Sequence, residues 1–502
     1  MEVLIESFWI AAQGSAVMGA LFGVVFGLFI AVTPGLTGVM AVAIILPFTF
    51  ALDAITSMAV LLGVYVSAYY GGAVTAIMIA TPGTPNAAAT VLDGYPLCRQ
   101  GLARKALQMS LFASVTGGIL GVFVAMSIFP LVAQLALRFG PPEMFALLVF
   151  SITVIAGVSG ASLIKGFLAA TMGFLLSTIG QDPIFGSSRF VFGISDLMGG
   201  LHILPILIGL FTIPELIVRS VAGGRSGGAG ATYIEMGPAL RFKEYIGQWR
   251  TYLRSAAAGS LLGALPGIGG SPAAFLGYFL AQRFSKRPEL FGRGSIEGLA
   301  GAEAGNSSVA GAAMVPMMSL GIPGGATTAV IMGALIIHGL TPGPTLFATR
   351  PEFVYSTFLV LIMCMLIMLF IGLGMIRVAN LIVRIPTQIL FPAVLIFATY
   401  GAYAIRNSLV DVIAMVLVGV LGTLMRLQAI PAAPLAIAFI LGPFFEQNLR
   451  RSLLMSGGSI DIFVRSWFGV AFLCLALVSA VATAFAHRRL HGSSRTAVTA
   501  NG

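Results

Sequence analysis

Long apolar runs dominate this chain, and short polar loops separate them. A helix needs roughly 20 apolar residues to cross a bilayer, and runs of that kind recur about ten to twelve times. Clear examples are 107–137, 198–221, 353–376 and 467–486. The pattern predicts an all-α polytopic membrane protein with about 10–12 transmembrane helices.

The amino-acid composition also indicates that much of the protein lies in a lipid bilayer. Of 502 residues, 58% are hydrophobic and only 9% are charged, whereas soluble domains carry about 25% charged residues. The net charge is +10, but the basic residues lie in short loops and near the C-terminus. That placement is typical of cytoplasmic loops beside anionic lipid, so we expect a multi-pass membrane protein and no nucleic-acid partner.

The N-terminal segment MEVLIESFWIAAQG contains no Lys or Arg. A cleavable signal peptide begins with a positively charged region. The first apolar segment is therefore expected to stay in the protein as a membrane helix.

The two halves of the chain share short motifs in the same order. AVTPGLTG at 31–38 matches GALPGIGG at 263–270, IATPGTPNAAAT at 79–90 matches LGIPGGATTAVI at 320–331, and GFLLSTIG at 173–180 matches GVLGTLM at 419–425. These matches predict a first membrane repeat at 1–222 and a second at 255–486. A polar connecting loop at 223–254 joins them, and a basic tail follows at 487–502. Such duplication is characteristic of secondary transporters.

Loop charges predict that the repeats are inverted. The loop after the second Pro-Gly pair is basic in the first half, whereas the loop after the first pair is basic in the second half. By the positive-inside rule, equivalent loops then lie on opposite sides. The central loop is also basic, so 255–281 is either a re-entrant hairpin or one broken spanning helix.

Four Pro-Gly pairs interrupt apolar segments, at Pro34-Gly35, Pro82-Gly83, Pro266-Gly267 and Pro323-Gly324. Proline breaks a helix, and broken backbone in a membrane is tolerated where it lines a cavity. The half-helix N-termini would offer N–H groups to a carboxylate, and exposed carbonyls would suit Na⁺. A simple kink is the alternative for any single pair.

Small polar residues and glycines cluster at these breaks and form the candidate substrate site. Hydroxyls and amides can hold an anion or a cation without burying an opposite charge; hydrogen bonding between helices is the alternative role. Besides the eight Pro-Gly residues, the candidates are Thr33, Thr37, Gly38, Thr81, Thr84, Asn86, Gly269, Gly270, Ser271, Asn306, Ser307, Ser308, Gly325, Thr327 and Thr328.

Glu303 is an ionisable residue in the nearly uncharged stretch GLAGAEAGNSSVAGAA. A carboxyl at membrane depth is a candidate for coupling to Na⁺ or H⁺. The alternative is a position near the interface, where it would cap or pair.

The sequence carries no strong enzyme signature. The four histidines form no metal-ligand pattern, so no metal is expected beyond a transported Na⁺, and no P-loop or cofactor motif is present. GVSG at 157–160 is similar to the G-x-S-G of intramembrane serine proteases, with Ser159 as nucleophile and His202 as base. That weak match and an organic-anion channel are the alternatives to a transporter.

Several long motifs resemble the TctA family, the large membrane subunit of tripartite tricarboxylate transporters. They are PGLTG, LLGVYVSAYYGGAVTAIMIATPGTPNAAATVLDGYPLCRQG, GALPGIGG, GAEAGNSSVAGAAMVPMMSLGIPGGATTAVIMGAL and RFVFG…GLHILPILIGLF. The resemblance covers roughly residues 16 to 460.

The resemblance implies a permease of the bacterial inner membrane that takes up citrate or another small carboxylate, driven by a cation gradient. It also implies two partners, a small membrane subunit of about four helices and a periplasmic solute-binding protein. The family's motifs map onto the four Pro-Gly pairs and onto 303–308. Gly325 departs from the serine expected there, which leaves the particular carboxylate open.

Overall fold

The computed structural model describes residues 2–33, 36–158, 162–182, 184–221, 235–382, 387–404 and 406–499. In the first half, the helices are α1 Glu2–Ala11, α2 Gly14–Val32, α3 Gly38–Thr49, α4 Ala54–Ile79, α5 Ala88–Arg99, α6 Ala103–Ala136, α7 Pro141–Val158, α8 Leu163–Ser177, α9 Ile203–Phe211 and α10 Ile213–Val221. A small antiparallel pair of strands, β1 Gly180–Gln181 and β2 Ser188–Arg189, follows α8.

The second half is again helical. Its helices are α11 Phe242–Ile246, α12 Trp249–Gly263, α13 Gly270–Phe284, α14 Ile296–Ala312, α15 Met314–Leu320, α16 Ala326–Ile337, α17 Pro344–Thr349, α18 Pro351–Ile382, α19 Thr387–Ala404, α20 Leu409–Leu427, α21 Ala432–Met455, α22 Ile462–Arg465 and α23 Trp467–Thr499.

The predicted all-α polytopic membrane fold is confirmed. Within the described residues, 8 helices are long and apolar enough to cross a membrane. Shorter apolar helices, α3 and α16 among them, account for the remaining apolar runs. They are short because the Pro-Gly segments divide the runs, since proline cannot continue a helix.

Helices α2 and α3 form a hairpin that packs on α4. Helix α2 runs parallel to α4 through close glycine contacts, whereas α3 runs back along it. The contacts that fix these directions are Gly19 with Thr56, Gly27 with Val64, Gly38 with Ala68, and the hydrogen bond of 2.7 Å from Ser57 Oγ to Thr49 O. Both ends of the hairpin therefore lie at the N-terminal end of α4.

The third Pro-Gly segment is the tip of an equivalent hairpin on α14. The Ser255 hydroxyl of α12 donates to Gly277 O of α13 at 3.2 Å, so the two helices lie side by side. Glycines again allow the close approach: Gly259 meets Gly305, Gly277 meets Gly301, and Gly263 meets Val309. Of the two interpretations that the sequence left open for 255–281, the structure has the re-entrant hairpin.

The second and fourth Pro-Gly segments break helices that continue in the same direction. The Gly83 N–H donates to Gly72 O at 3.2 Å, so the chain steps back along α4 before α5 begins. Helix α5 then runs on beside the end of α4, with Gly94 against Ile77. In the second half, the chain likewise runs back along the preceding helices, so that Gly324 lies against Ala313 before α16 begins.

The basic loops meet at one face of the molecule. Gln100, after α5, donates to Arg293 O, after α13, at 2.8 Å. The segment before α11 joins them, because the Arg104 N–H donates to Met236 O at 2.7 Å. Lys105 Nζ lies 2.5 Å from Glu244 Oε1, and its hydrogen bond holds the pKa of that carboxyl below its ordinary value.

The predicted division of the chain into two repeats, a connecting loop and a tail stays a prediction. Helix α12 already begins at Trp249, inside the predicted loop 223–254, because the apolar helix face continues past Arg250 and Arg254. Helix α23 continues to Thr499, so the backbone of the predicted tail 487–502 is helical over most of its length. The internal duplication stays a prediction, although α4 and α14 are antiparallel and carry similar hairpins.

Close packing of α6 on α14 generates a stability prediction. A Cβ at Gly121 would lie 2.2 Å from Ser308 O, and overpacking of this kind costs about 1–3 kcal/mol. Gly121→Ala should therefore lower the thermal unfolding temperature of the purified protein in detergent. Gly374→Ala on α18, where the added Cβ meets nothing within 4 Å, is the control and should be neutral or stabilising. Equal effects of the two changes would contradict this packing.

Candidate functional site

The four helix breaks surround one cavity of about 180 Å³. Its walls come from both halves of the chain, with α4 on one side and α14 on the other. The lining residues are Thr37, Gly38, Val39, Tyr65, Ala68, Tyr69, Thr84, Pro85, Asn86, Gly269, Gly270, Val309, Ala313, Gly324, Gly325, Ala326, Thr327 and Thr328.

Four half-helices present their N-termini to this cavity. Helices α3 and α16 begin at its wall and end close together, with the rings of Phe50 and His338 6.5 Å apart. Helices α5 and α13 begin at the opposite wall and run to the basic face. Each N-terminus carries unpaired N–H groups and a partial positive charge. The cavity therefore favours a small anion that can accept hydrogen bonds from two directions.

Polar side chains supplement the helix N-termini. The Thr84 hydroxyl is buried and makes no hydrogen bond within the described structure. On α4, the hydroxyls of Tyr65 and Tyr69 lie 3.0 Å apart and both side chains line the cavity. These groups can donate to a carboxylate without adding a net charge.

Two asparagines lie against Gly270 at the N-terminus of α13. A Cβ at this glycine would lie 2.6 Å from Asn86 Nδ2 and 2.7 Å from Asn306 Oδ1, so any other residue would displace them. Asn86 Oδ1 accepts a hydrogen bond of 2.9 Å from Ser271 Oγ. Asn306 is 1% exposed, and neither atom of its amide has a hydrogen-bond partner among the described residues. A buried amide without partners is costly in a purely structural role.

Glu303 lies one turn from Asn306 on α14 and is completely buried. Its carboxylate accepts hydrogen bonds from the hydroxyls of Thr90 on α5 and Ser114 on α6, the latter at 2.8 Å. Glu303 is thus embedded between helices.

The structure brings about half of the predicted site residues to the cavity wall and places the others nearby. The candidates that line the cavity are Thr37, Gly38, Thr84, Asn86, Gly269, Gly270, Gly324, Gly325, Thr327 and Thr328. Pro82, Gly83, Pro266, Gly267 and Pro323 shape the breaks behind it, and Ser271, Asn306, Ser307 and Ser308 pack beneath it.

Two predicted residues have other local roles. The Thr33 hydroxyl donates to Phe29 O at 3.0 Å within its own helix. The Thr81 hydroxyl is exposed and donates to Ile79 O at 3.3 Å. Pro34 and Gly35 lie outside the described residues, as does Ser159; the proposed base His202 instead accepts from Leu204 N at the start of α9.

Sequence reasoning missed the aromatic wall. Tyr65 and Tyr69 lie in a continuous apolar helix, where a tyrosine is normally interpreted as a buried packing residue. A signal was available in the predicted repeat, because residues 65–67 correspond to the polar residues 306–308 of the second half. Tyr65 and Tyr69 are also one helical turn apart.

The fold is that of a multi-pass membrane protein with a central cavity made from broken helices. The chain belongs to the tripartite tricarboxylate transporter TctA family, whose profile matches residues 17–437.

Two proteins of Agrobacterium vitis are similar to the chain. An uncharacterized 52.8 kDa protein in the TAR-I ttuC' 3' region is 34% identical over 459 residues, covering 91% of each chain. An uncharacterized protein in the TAR-II ttuC' 3' region is 37% identical over 223 residues, covering 44% of this chain and 92% of its own length. No solved structure matches the chain.

The unpaired amide of Asn306 gives a prediction about stability. Asn306→Leu keeps the side-chain size and removes two buried polar atoms without partners, so the free energy of unfolding should stay constant or rise. The control is Asn448→Leu, which removes the hydrogen bond of 2.7 Å from Asn448 Nδ2 to Phe444 O and should be destabilising by about 1 kcal/mol. Thermal unfolding in detergent compares them, and a larger loss at position 306 would mean that the amide has a structural role.

Proposed function

We propose that this chain is the permease subunit of a binding-protein-dependent secondary transporter for tricarboxylates or other small organic carboxylates. It moves its substrate across the bacterial inner membrane without covalent chemistry, and a Na⁺ or H⁺ gradient drives the uptake. Family membership supports the transporter class, and the cavity supports the carboxylate.

The convergence of four helix N-termini on one cavity carries this proposal. Helices α3 and α16 approach from one face, and helices α5 and α13 approach from the other. A di- or tricarboxylate has negative charges at separate ends, so it can contact N-termini from both directions at once. Among the described residues, no lysine or arginine lines the cavity, so in this proposal the substrate is held by dipoles and hydroxyls. Such binding is strong enough for selectivity and weak enough for release.

Family membership implies the other subunits of a tripartite system. As specific partners we propose a small membrane subunit of about four helices, which shares the lipid-facing surface, and a periplasmic solute-binding protein that delivers the carboxylate. The basic face would then be cytoplasmic, by the positive-inside rule. Movement of the hairpins against the rest of the molecule would expose the cavity to each side in turn.

Uptake into proteoliposomes tests the proposal. The chain and its small membrane subunit are reconstituted, the binding protein is supplied outside, and labelled di- and tricarboxylates are offered under imposed Na⁺ or H⁺ gradients. We expect accumulation of one acid above its external concentration, and only when the binding protein is present. Equilibration without accumulation would indicate an anion channel. The absence of any carboxylate flux would refute the substrate class.

Thr84 lines the cavity, with its hydroxyl buried against Gly72 of α4, and provides a sharper test. In the proposed mode of binding this hydroxyl donates to the anion, so Thr84→Val keeps the shape and removes one donor, and a hydrogen bond to a charged group contributes about 1.5–3 kcal/mol. The concentration of carboxylate that gives half-maximal uptake should rise by about tenfold or more. The control is Thr212→Val, which removes another buried hydroxyl without a hydrogen-bond partner, at a position away from the cavity. Unchanged uptake in Thr84→Val would place the substrate elsewhere.

A further inference from the structure

A column of buried polar residues leads from the cavity toward the basic face, between α5 and α14. These helices are antiparallel, so residues at successive turns meet in three levels. Asn86 and Asn306 meet at Gly270, Thr90 meets Glu303, and Asp93 meets the N-terminus of α14. Neither Asp93 nor Ser114 stands out in the sequence, because their partners are about 200 residues away.

The middle level holds a carboxyl without a cationic partner. Glu303 is 0% exposed, and no salt bridge to it occurs among the described residues. An unpaired carboxylate in such a place costs several kcal/mol. A bound cation removes that cost, and a proton is the smallest one.

The surroundings of Glu303 favour a proton over Na⁺. Broken helices bind Na⁺ through carbonyls freed from helical hydrogen bonds, whereas Glu303 lies in the middle of the continuous helix α14. The packing is also close, because a Cβ at Gly117 would lie 2.4 Å from the neighbouring Ala304 Cα. Hydroxyls surround the carboxyl instead, and each can both donate and accept a proton. One of them, Ser110, lies one turn from Ser114 on α6 and has no hydrogen-bond partner among the described residues.

Asp93 connects this carboxyl to the basic face. It lies one turn beyond Thr90 on α5, and its Oδ1 accepts hydrogen bonds of 2.8 Å from the N–H groups of both Gly294 and Ser295. Its Oδ2 points toward Gly298 on α14, and the Tyr278 side chain lies beside the same carboxyl. The loop before Gly294 is exposed and carries Arg287 and Arg293. Asp93 can therefore receive a proton from within and release it at this face.

Other titratable groups on the neighbouring helices are neutral or already paired. Tyr70 of α4 faces Glu303, and its hydroxyl donates to Leu107 O at 3.5 Å. Tyr278 of α13 lies beside Asp93, and Tyr252 of α12 donates to Tyr245 O at 3.1 Å. At the helix ends, Lys105 of α6 pairs with Glu244, and Glu297 of α14 accepts hydrogen bonds from Thr251 and Ser285.

We propose that the coupling ion is a proton, which Glu303 carries through the transport cycle and passes by way of Thr90 and Asp93 to the basic face. This inference rests on the proposed function and names its coupling ion. When the proton leaves, the Glu303 O–H bond breaks and its electron pair stays on the carboxylate. As the Thr90 oxygen gains this proton, its own O–H bond breaks and that proton forms an O–H bond on the Asp93 carboxylate, so Thr90 stays a neutral hydroxyl.

The test uses the reconstituted transporter with its binding protein, in Na⁺-free buffer, with a pH-sensitive dye inside the vesicles. Addition of the transported carboxylate should acidify the lumen of wild-type vesicles, and an imposed pH gradient alone should drive accumulation. Accumulation that needs Na⁺, without proton movement, would overturn the proposal. If wild type shows no carboxylate flux at all, the proposed function fails rather than the ion assignment.

Three substitutions locate the proton path. Glu303→Gln keeps the hydrogen-bonding shape, so we expect substrate counterflow to persist while gradient-driven accumulation and lumen acidification are lost. Asp93→Asn should slow proton release and shift the pH dependence of uptake, with counterflow retained. Glu297→Gln, on the same helix, is the control and should behave as wild type. Continued proton movement in Glu303→Gln, or loss of acidification in Glu297→Gln, would overturn the assignment.

If Glu303→Gln gives too little folded protein, Glu303→Asp is the second variant. It retains an ionisable carboxyl with a shorter reach, so proton-coupled accumulation should survive at a reduced rate. A variant that folds and counterflows but moves no protons would contradict a role based on ionisation.

Discussion

Backbone hydrogen bonding at the helix breaks is the constraint on which the rest of this structure depends. A bilayer offers no water to N–H and C=O groups, so an interrupted helix must find partners inside the protein. Here the breaks supply partners to one another or to neighbouring helices. Gly267 N–H, at a hairpin tip, donates to Gly324 O in the broken helix at 3.0 Å, and Gly83 N–H donates to Gly72 O. Interruptions that would be costly alone are therefore tolerable together.

Glycine makes this arrangement possible. The hairpins and the helices that support them approach so closely that a Cβ at Gly23, for example, would lie 2.2 Å from Val60 O. At the tip, Gly267 also has a positive φ of 79° that side chains rarely adopt. Small residues thus serve two purposes, since they bring helix backbones together in lipid and they let the chain turn at the cavity.

The sequence predicted the fold class, the breaks and most of the polar groups at the cavity, because proline, glycine and long apolar runs act locally. It could not decide between hairpin and broken helix at Pro266, because that choice depends on contacts such as Ser255 with Gly277. Tyr65 and Tyr69 were missed because the sequence of a wholly apolar helix does not indicate which of its faces lines a cavity. Asp93 was missed because its partners, Gly294 and Ser295, come from the other half of the chain.

The two hairpins are inserted from opposite ends of the molecule. The α12–α13 hairpin starts and ends at the basic face, whereas the α2–α3 hairpin starts and ends at the N-terminal end of α4. The cavity thus lies where two inserts from opposite ends of the molecule meet. A bilayer of mismatched thickness acts on both ends, at a modest energy cost per ångström. We therefore expect acyl-chain length to be a variable through which the lipid acts on the cavity.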